Sequence, residues 1–340
     1  MYIYLFLVSF FLALALTWLV KKIAVKFNFI DKPDAARKLH KKPMPLLGGW
    51  AIFAAASIVL FWQRELLVSG QLAYHHWLGV WLGGLILMIG GTMDDKYNLS
   101  SKWQLLFPVL ASLAVIMGGV GIEKVTNPLA GLLFFSAWQA YIFTFIWLMG
   151  MIFTTKLVDG IDGLSSGLTT IGCLIIFLFT ATTRYYQSDI AVAALVFAGA
   201  TFGFLVWNWH PAKIFVGDGG SLLLGFVLGV LSIISGGKIA IALLIMGIPI
   251  LDVIWTIGRR LLAGKNPLKS ADRQHLHFRL QDRFGVRQTV LIYSLLAAVF
   301  GLSALFLQAK GKLFAVLILA LIMAFFVGWF SYVDKKNRIS

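Results

Sequence analysis

Carboxylates stand out in this sequence because they interrupt long apolar stretches. A charged side chain costs about 2.5–3.5 kcal/mol at the centre of an inserted helix, so acids in such a setting indicate a role. Carboxylate oxygens are also the ligands that Mg²⁺ prefers, and the ion commonly joins them to substrate phosphates. Three glycine-containing segments carry the candidate acids Asp94, Asp95, Asp159, Asp162 and Asp218, namely GGTMDDKYNLSSK (90–102), TTKLVDGIDGLSSG (154–167) and NWHPAKIFVGDGGSLLLG (208–225).

Each of these segments also has a purely structural explanation. The adjacent Asp94 and Asp95 resist joint ionisation unless a cation is near, but they could simply end a helix in solvent. Asp159 and Asp162 are three residues apart, so a helical turn would place both on one face, whereas a helix cap would explain only Asp162. Asp218 lies at a glycine-rich predicted helix start, where free N–H groups can bind an anion or its carboxylate can cap a tight turn.

Basic and imidazole side chains accompany the acids. The segment LKSADRQHLHFRL (268–280) contains His275 and His277 between Arg273 and Arg279. This composition is typical of a phosphate-binding loop, although a solvated basic loop would have it too. Neither histidine belongs to an HExxH pattern, so a histidine-based zinc site is not expected.

Two further segments carry charges near predicted helix ends. DKPDAARKLHKKPMPLLGG (31–49) is a basic loop whose Arg37 and Lys38 either hold a lipid phosphate or enforce the topology. PILDVIWTIGRR (249–260) places Asp252 inside a predicted helix. An acid at that depth needs a partner or a water-filled cavity.

The composition indicates a polytopic membrane protein with a single domain over residues 1–340. Apolar residues make up 60% of the chain and charged residues 13%, whereas soluble domains average about 45–50% and about 25%. The net charge of +15 is better explained by cytoplasmic loops near anionic lipids and phosphorylated substrates than by nucleic acid. The single cysteine, Cys173, excludes a disulfide within the chain and a cysteine-based metal site.

Hydropathy predicts an all-α fold with about eleven transmembrane helices, because a spanning helix needs about 20 apolar residues. The break between the eighth and ninth segments depends only on Ser235, Gly236 and Gly237. The predicted segments lie near 2–20, 46–62, 75–93, 104–122, 131–153, 164–183, 190–207, 219–236, 238–258, 288–307 and 313–333.

The distribution of Lys and Arg predicts the orientation of these segments. Alternate loops and termini divide the 29 basic residues into sets of 23 and 6, and the richer set is cytoplasmic by the positive-inside rule. The N-terminus is then outside and the C-terminus is cytoplasmic. Of the 14 acids, 11 lie on the cytoplasmic side. We therefore expect an active site at that face, formed by loops 21–46, 93–103, 154–166, 207–220 and 259–287.

In order and spacing, six motifs resemble those of the polyprenyl-phosphate N-acetylhexosamine-1-phosphate transferases, and the branch they resemble most is the bacterial undecaprenyl-phosphate N-acetylglucosamine-1-phosphate transferases. The motifs are DKPDAARKLHKKPMPLLGG, DDK, DGIDGL, N…FVGDGGS, PILDVI and DRQHLHFRL. The resemblance implies transfer of a sugar 1-phosphate from a UDP-N-acetylhexosamine to undecaprenyl phosphate with release of UMP, the first membrane step of a cell-envelope glycan. It also implies a need for Mg²⁺ or Mn²⁺, a bacterial cytoplasmic-membrane location and a homodimer as one candidate assembly.

The resemblance, together with the charge pattern, assigns roles to individual residues. Asp94 is favoured as the base for direct attack by the lipid phosphate, whereas a two-step route would make an aspartate the nucleophile. Asn208 is expected near the uridine diphosphate. The implied catalytic residues are Asp94, Asp95, Asp159, Asp162, His275 and His277; the implied metal ligands are Asp218 and Asp159; and the implied substrate-binding residues are Asn208, Lys156, Arg37, Lys38, Lys102, Asp252, Arg273 and Arg279.

Two positions depart from the pattern that many members of this family share. Lys156 stands three residues before Asp159, where many members have asparagine, and Phe278 replaces the third histidine of HLHHRL. The second change favours the N-acetylglucosamine branch over the muramoyl-pentapeptide branch. Another UDP-HexNAc or UDP-MurNAc-pentapeptide is the alternative donor. A transporter of anionic lipids or sugar phosphates is the alternative class, but the sequence has no clear inverted repeat of the kind that marks many transporters.

Overall fold

The computed structural model of this chain is a bundle of helices with two short antiparallel hairpins. It describes residues 1–33, 42–70, 72–128, 131–182, 186–236, 239–262, 264 and 274–337. The hairpins pair β1 (Ile30–Asp31) with β2 (Met44–Pro45), and β3 (Lys124–Asn127) with β4 (Gly131–Phe134). The helices are α1 (Tyr2–Lys26), α2 (Gly48–Trp62), α3 (Tyr74–Tyr97), α4 (Ser101–Met117), α5 (Ala137–Val158), α6 (Leu164–Thr182), α7 (Ser188–Asn208), α8 (Gly217–Ile234), α9 (Ile239–Ile245), α10 (Gly247–Leu262), α11 (Leu276–Phe284), α12 (Val286–Phe306) and α13 (Ala309–Asn337).

The helices confirm the prediction of an all-α polytopic membrane protein. Within the described residues, eight helices are long and apolar enough to cross a bilayer, or nine if the bent pair of α9 and α10 is one span. Helices α2 and α4 are apolar but shorter. Each of the eleven predicted segments therefore coincides with a helix or a helix pair. The count of eleven spans stays a prediction.

The prediction of one continuous helix over 238–258 is wrong. The chain bends by 81° between α9 and α10. Gly247 and Pro249 lie in the first turn of α10. Proline has no N–H to donate to the preceding turn, and a sharp bend at such a residue is the usual result.

The predicted helix over 131–153 is shifted in the structure. Its first residues form β4, and α5 begins only at Ala137. Gly131 has φ +91°, a left-handed conformation that favours glycine and a hairpin over a helix. The side chain of Gln139 then accepts from the backbone N–H and hydroxyl of Ser136 at the start of α5. At its other end α5 continues to Val158, which places Lys156 in its last turn.

Helices α6, α7 and α8 form the centre of the bundle. Helix α7 packs on α1 and α6, and α8 packs on α3 and α5. Helix α8 is buried along most of its length, whereas α1 and α13 are largely exposed. Exposed apolar side chains such as Phe11 and Phe314 are what lipid-facing helices require.

Glycine at the contact between α3 and α8 lets the two backbones touch. A Cβ atom on Gly91 would lie 2.0 Å from the Cα atom of Gly219. Small residues at helix interfaces permit such close approach in membrane proteins. The contact brings the end of α3, which carries Asp94 and Asp95, against the start of α8, which carries Asp218.

Replacing Gly91 by alanine is expected to destabilise the fold by about 1–3 kcal/mol, because overpacking of a tight contact forces the backbones apart. The measurement is the thermal unfolding midpoint of the purified protein in detergent. Gly328→Ala in α13 is the matched control, because nothing lies within 4 Å of a Cβ atom there. An unchanged midpoint for Gly91→Ala would contradict the packing described for α3 and α8.

Candidate active site

A cavity of about 840 Å³ lies where the ends of α3 and α7 meet the start of α8 and the turn after α5. Acidic side chains dominate its polar lining. Because the five acids singled out in the sequence come from segments far apart in the chain, the packing of the helices is what brings them together. The lining carboxylates are Asp31, Asp94, Asp95, Asp159, Asp162 and Asp218.

Lys156 bridges two of these carboxylates. Its Nζ atom lies 3.0 Å from Oδ2 of Asp218 and 3.4 Å from Oδ2 of Asp94. The other oxygen of Asp94 accepts hydrogen bonds from the N–H of Leu99 (2.9 Å) and from Nε2 of Gln104 (3.0 Å). Asp94 is therefore held in one orientation by three donors, and the lysine contributes a single positive charge among several acids.

The carboxylate of Asp95 is hydrogen-bonded to the backbone of Asp218. The N–H of Asp218 donates to both carboxylate oxygens of Asp95, at 3.1 and 3.2 Å. Gly217, at the first position of α8, has φ +78°, and a Cβ atom there would lie 2.7 Å from Oδ2 of Asp95. Glycine is thus needed for this arrangement, and the N-terminus of α8 favours the nearby negative charge.

The DGIDG segment forms a turn rather than part of a helix, because α5 ends at Val158 and α6 begins at Leu164. The expectation that Asp159 and Asp162 share a helical face is therefore wrong, although both line the cavity. Asp159 accepts a very short hydrogen bond from the Ser165 hydroxyl. Burial raises the pKa of Asp159 well above its usual value, and that hydrogen bond opposes part of the rise.

Asp162 binds the loop before α8 instead of capping α6. Its Oδ2 atom lies 2.8 Å from Nδ1 of His210 and accepts from the N–H of Ala212 at 3.1 Å. Asp162 therefore does not act as a helix cap. It joins the turn before α6 to the loop before α8. His210 also lines the cavity.

Asn208 connects the same two loops from the end of α7. Its Oδ1 atom accepts from the N–H of Gly163 (3.1 Å) and the hydroxyl of Ser166 (2.9 Å), and its Nδ2 atom donates to the carbonyl of Ile214 (3.1 Å). Asn208 is buried, yet it borders the cavity. These three hydrogen bonds make it a positioning residue for the acidic turn.

Asp252, His275 and His277 lie together but do not line the cavity. Nδ1 of His275 is 3.0 Å from Oδ2 of Asp252, and the carboxylate also accepts from the N–H of Leu276 (3.0 Å). Burial lowers the pKa of His277, and Asp252 opposes part of the shift. His277 lies against Gly160, which lines the cavity, and the catalytic and binding roles of the two histidines and Asp252 stay predictions.

The predicted basic residues are also dispersed. Lys102 is exposed in the first turn of α4, and the guanidinium of Arg279 lies over the ring of Phe330, 5.9 Å from its centroid. Neither is among the residues that line the cavity. Arg37, Lys38 and Arg273 lie outside the described residues.

Several cavity contacts were missed in the sequence. Gln104 orients Asp94, and Ser165 binds Asp159. Phe278 and Gln281, from α11, line the cavity, whereas the sequence motif predicts that role for the histidines beside them. The serines of LSSG directly follow the acids, which is a weak sequence signal that Ser165 belongs to the site. No motif surrounds Gln104, so the sequence does not indicate its contact with Asp94.

The lining fits a divalent cation that prefers oxygen ligands. In the described lining, carboxylates far outnumber the lysine side chains that could balance them, with Lys42 at the cavity and Lys156 between two acids. Like charges this close repel each other unless protons or a cation offset them. Mg²⁺ and Mn²⁺ take oxygen ligands of this kind, so Asp159 and Asp218 are suitable ligands.

Replacing Gly160 by alanine is expected to lower the activity of the site by about tenfold or more, because small misplacements of site residues are costly. A Cβ atom there would lie 2.6 Å from Cζ of Phe278 and 3.4 Å from Nε2 of His277. Steady-state turnover measures the effect. The double variant with Phe278→Leu should recover part of the loss, and Gly150→Ala, with nothing within 4 Å of its Cβ, should change little. A Gly160→Ala protein as active as wild type would contradict this contact.

Comparison of the sequence with known proteins identifies the family. The sequence model described as Glycosyl transferase family 4 matches residues 77–236. The chain is 34% identical to the probable undecaprenyl-phosphate N-acetylglucosaminyl 1-phosphate transferase of Bacillus subtilis, over 98% of this chain and 93% of the relative. It is 31% identical to the undecaprenyl-phosphate alpha-N-acetylglucosaminyl 1-phosphate transferase of Thermotoga maritima, over 88% and 89%. It is 30% identical to a decaprenyl-phosphate N-acetylglucosaminephosphotransferase of Mycolicibacterium smegmatis, over 91% and 83%.

Proposed function

Because the chain belongs to glycosyl transferase family 4, in the branch of the undecaprenyl-phosphate N-acetylglucosaminyl 1-phosphate transferases, we propose that it transfers N-acetylglucosamine 1-phosphate from a UDP-sugar to undecaprenyl phosphate. The reaction releases UMP and is the first membrane step of a cell-envelope glycan. The observation that carries the proposal is the acidic cavity, since six aspartates from distant segments converge there. Both substrates carry phosphate groups, which a cation among these aspartates would hold.

In this reaction an oxygen of the lipid phosphate attacks the β-phosphorus of the donor. The bond between that phosphorus and the bridging oxygen breaks, and UMP leaves with the bridging oxygen. A phosphate monoester has a second pKa of about 6, so most of the acceptor is already a dianion at neutral pH. Asp94, oriented by Leu99, Gln104 and Lys156, is the proposed acceptor of the remaining proton.

The protein's own groups supply most of the positioning. Asp95 holds the start of α8 through the N–H of Asp218. Asn208 and the pair of Asp162 and His210 hold the acidic turn against the loop before α8. Mg²⁺ or Mn²⁺, bound by Asp218 and Asp159, would neutralise charge on the transferred phosphoryl group. Phosphoryl transfer needs little more than such positioning and charge neutralisation.

We place the acidic cavity at the cytoplasmic face of a bacterial inner membrane. The basic residues support this orientation, because 23 of the 29 fall in loops and termini on the side of the acids. With that orientation the N-terminus is outside, the C-terminus is cytoplasmic, and a soluble UDP-sugar reaches the cavity directly. The homodimer stays a prediction.

The test is UMP release by the purified protein with undecaprenyl phosphate, UDP-N-acetylglucosamine and Mg²⁺. We expect UMP and a lipid-linked sugar diphosphate in equal amounts. UDP-N-acetylgalactosamine and UDP-MurNAc-pentapeptide are the alternative donors, and turnover with only one of them would reassign the sugar. A folded protein that is inactive with all three donors would overturn the proposed reaction.

A further inference from the structure

A second cluster of possible metal ligands lies between α10 and the start of α11, next to Gly160 and Phe278 of the cavity lining. One nitrogen or oxygen atom from each of Asp252, His275 and His277 lies within 4.8 Å of the other two. Their side chains are 2%, 5% and 0% exposed. We propose that these three side chains bind a transition-metal ion, with Zn²⁺ as the best chemical match, at a site separate from the acidic cavity.

The spacing of the ligand atoms suits a small tetrahedral ion. A carboxylate oxygen of Asp252 lies 3.0 Å from Nδ1 of His275 and 3.7 Å from Nδ1 of His277. Ligands at 2.0–2.2 Å from a tetrahedral Zn²⁺ lie about 3.3–3.5 Å from one another. The two distances fall on either side of this value, and all three ligand atoms lie within 4.8 Å of one another, so rotation of the side chains would bring them around one ion.

His277 has no other partner for its ring nitrogens among the described residues. Both atoms are buried without a hydrogen bond, as are Oε1 of Gln281 and the hydroxyl of Tyr293. Gln281 lies one turn after His277 on α11, and Tyr293 is within electrostatic reach of Asp252. Buried polar atoms are nearly always satisfied in native proteins, and an absent ion is one explanation when several are not.

The local backbone explains how two histidines at i and i+2 can both face Asp252. His275 precedes α11 and has an extended conformation, with φ −62° and ψ 146°, whereas His277 is the second residue of the helix. A continuous helix would turn the two imidazoles to different sides. Asp252, on α10, supplies the third ligand, because the segment that contains the two histidines offers only two.

The ligand types distinguish this site from the acidic cavity. Two imidazoles and one carboxylate form a common set for Zn²⁺ and for other first-row transition metals. Mg²⁺ prefers oxygen ligands only. An ion here would fasten α10 to the start of α11, whose Phe278 and Gln281 line the cavity. The ion would therefore stabilise one wall of the cavity without contacting the substrate.

The direct test is metal binding by the full-length protein, purified in detergent without a polyhistidine tag. Elemental analysis should find about one Zn²⁺ per chain, and a chelated sample should take up about one Co²⁺ with the visible absorption of a tetrahedral site. His277→Gln and Asp252→Asn should weaken Co²⁺ binding by at least about 100-fold, because each removes a ligand. Asp218→Asn and His210→Gln are matched controls in the acidic cavity, and they should keep the visible absorption of tetrahedral Co²⁺ that wild type shows.

A second measurement keeps the test valid if the ligand variants do not fold. Chelation of the wild-type protein should lower its thermal unfolding midpoint, and Zn²⁺ but not Mg²⁺ should restore it. Wild-type protein that takes up neither Zn²⁺ nor Co²⁺ would overturn the proposal. Retention of tight Co²⁺ binding in both ligand variants would do the same. Because no readout depends on sugar transfer, the outcome is independent of the proposed reaction.

Discussion

Asp218→Asn is expected to lower the rate of transfer by about 10²–10³-fold, in the range found when one electrostatic contact to a transition state is removed. Asparagine keeps the size of the side chain but loses the charge that would hold a divalent cation. Asp218 borders the cavity, and one of its oxygens already contacts Lys156 at 3.0 Å. The measurements are the rate of UMP release and the binding of Mn²⁺, followed by electron paramagnetic resonance.

Two comparisons separate this effect from a loss of folding. The unfolding midpoint of Asp218→Asn should remain near that of wild type, since the N–H that donates to Asp95 is a backbone group and is kept. Glu123→Gln removes one charge from an exposed side chain outside the cavity lining and should have little effect. A folded Asp218→Asn protein with a near-normal rate would show that Asp218 is not a metal ligand.

Lys156→Met is expected to tighten Mn²⁺ binding by about 10–100-fold, equal to about 1.4–2.7 kcal/mol. The ammonium group lies between Asp94 and Asp218 and repels any cation that enters the site. Coulomb energies at such distances reach about 4 kcal/mol for two unit charges at an effective dielectric of 20, so even a strongly screened effect is large. The sign is the informative part, because a lysine that only stabilised the fold would not change metal affinity in this direction.

Lys156→Asn introduces the asparagine that many members of the family have at this position. Like Lys156→Met, it should tighten the binding of the divalent cation. We expect transfer to reach half-saturation at a lower Mg²⁺ concentration than in wild type. Lys96→Asn makes the same change of charge near the end of α3, where Lys96 lies over the ring of Phe29, and it should leave Mn²⁺ binding close to the wild-type value. Unchanged or weaker metal binding in both Lys156 variants would contradict the interpretation of Lys156 as a competing cation.

Local patterns in the sequence were enough to identify the class of the protein and most of its helices. Apolar runs of about 20 residues have the length that a bilayer-spanning helix needs, and ten of the predicted segments lie close to observed helices, with the start of α5 the largest shift. Aspartates beside glycines mark helix ends, where the chain turns. The same short motifs carried the resemblance that the comparisons confirmed.

The predictions failed where the outcome depended on local conformations that hydropathy does not report. Hydropathy averages over the residues from 238 to 258, so it does not detect the bend between α9 and α10. The left-handed φ of Gly131 separates a hairpin from α5, although the residues after it are apolar. Helical periodicity predicts one shared face for Asp159 and Asp162, but α5 ends at Val158 and the two acids lie in a turn before α6.

The sequence by itself determined that this is a membrane enzyme of a recognisable family with acids at its helix ends, because helix length, charge and motif order are local properties of the chain. Only the tertiary structure decided which of those groups meet. Lys156 reaches Asp94 and Asp218, each 62 residues away, because Gly91 and Gly219 let α3 and α8 touch and α5 packs on α8. Asp252 pairs with His275 rather than facing the cavity, since the bend before α10 and the start of α11 set its direction. Such contacts depend on how helices pack, which no short stretch of sequence specifies.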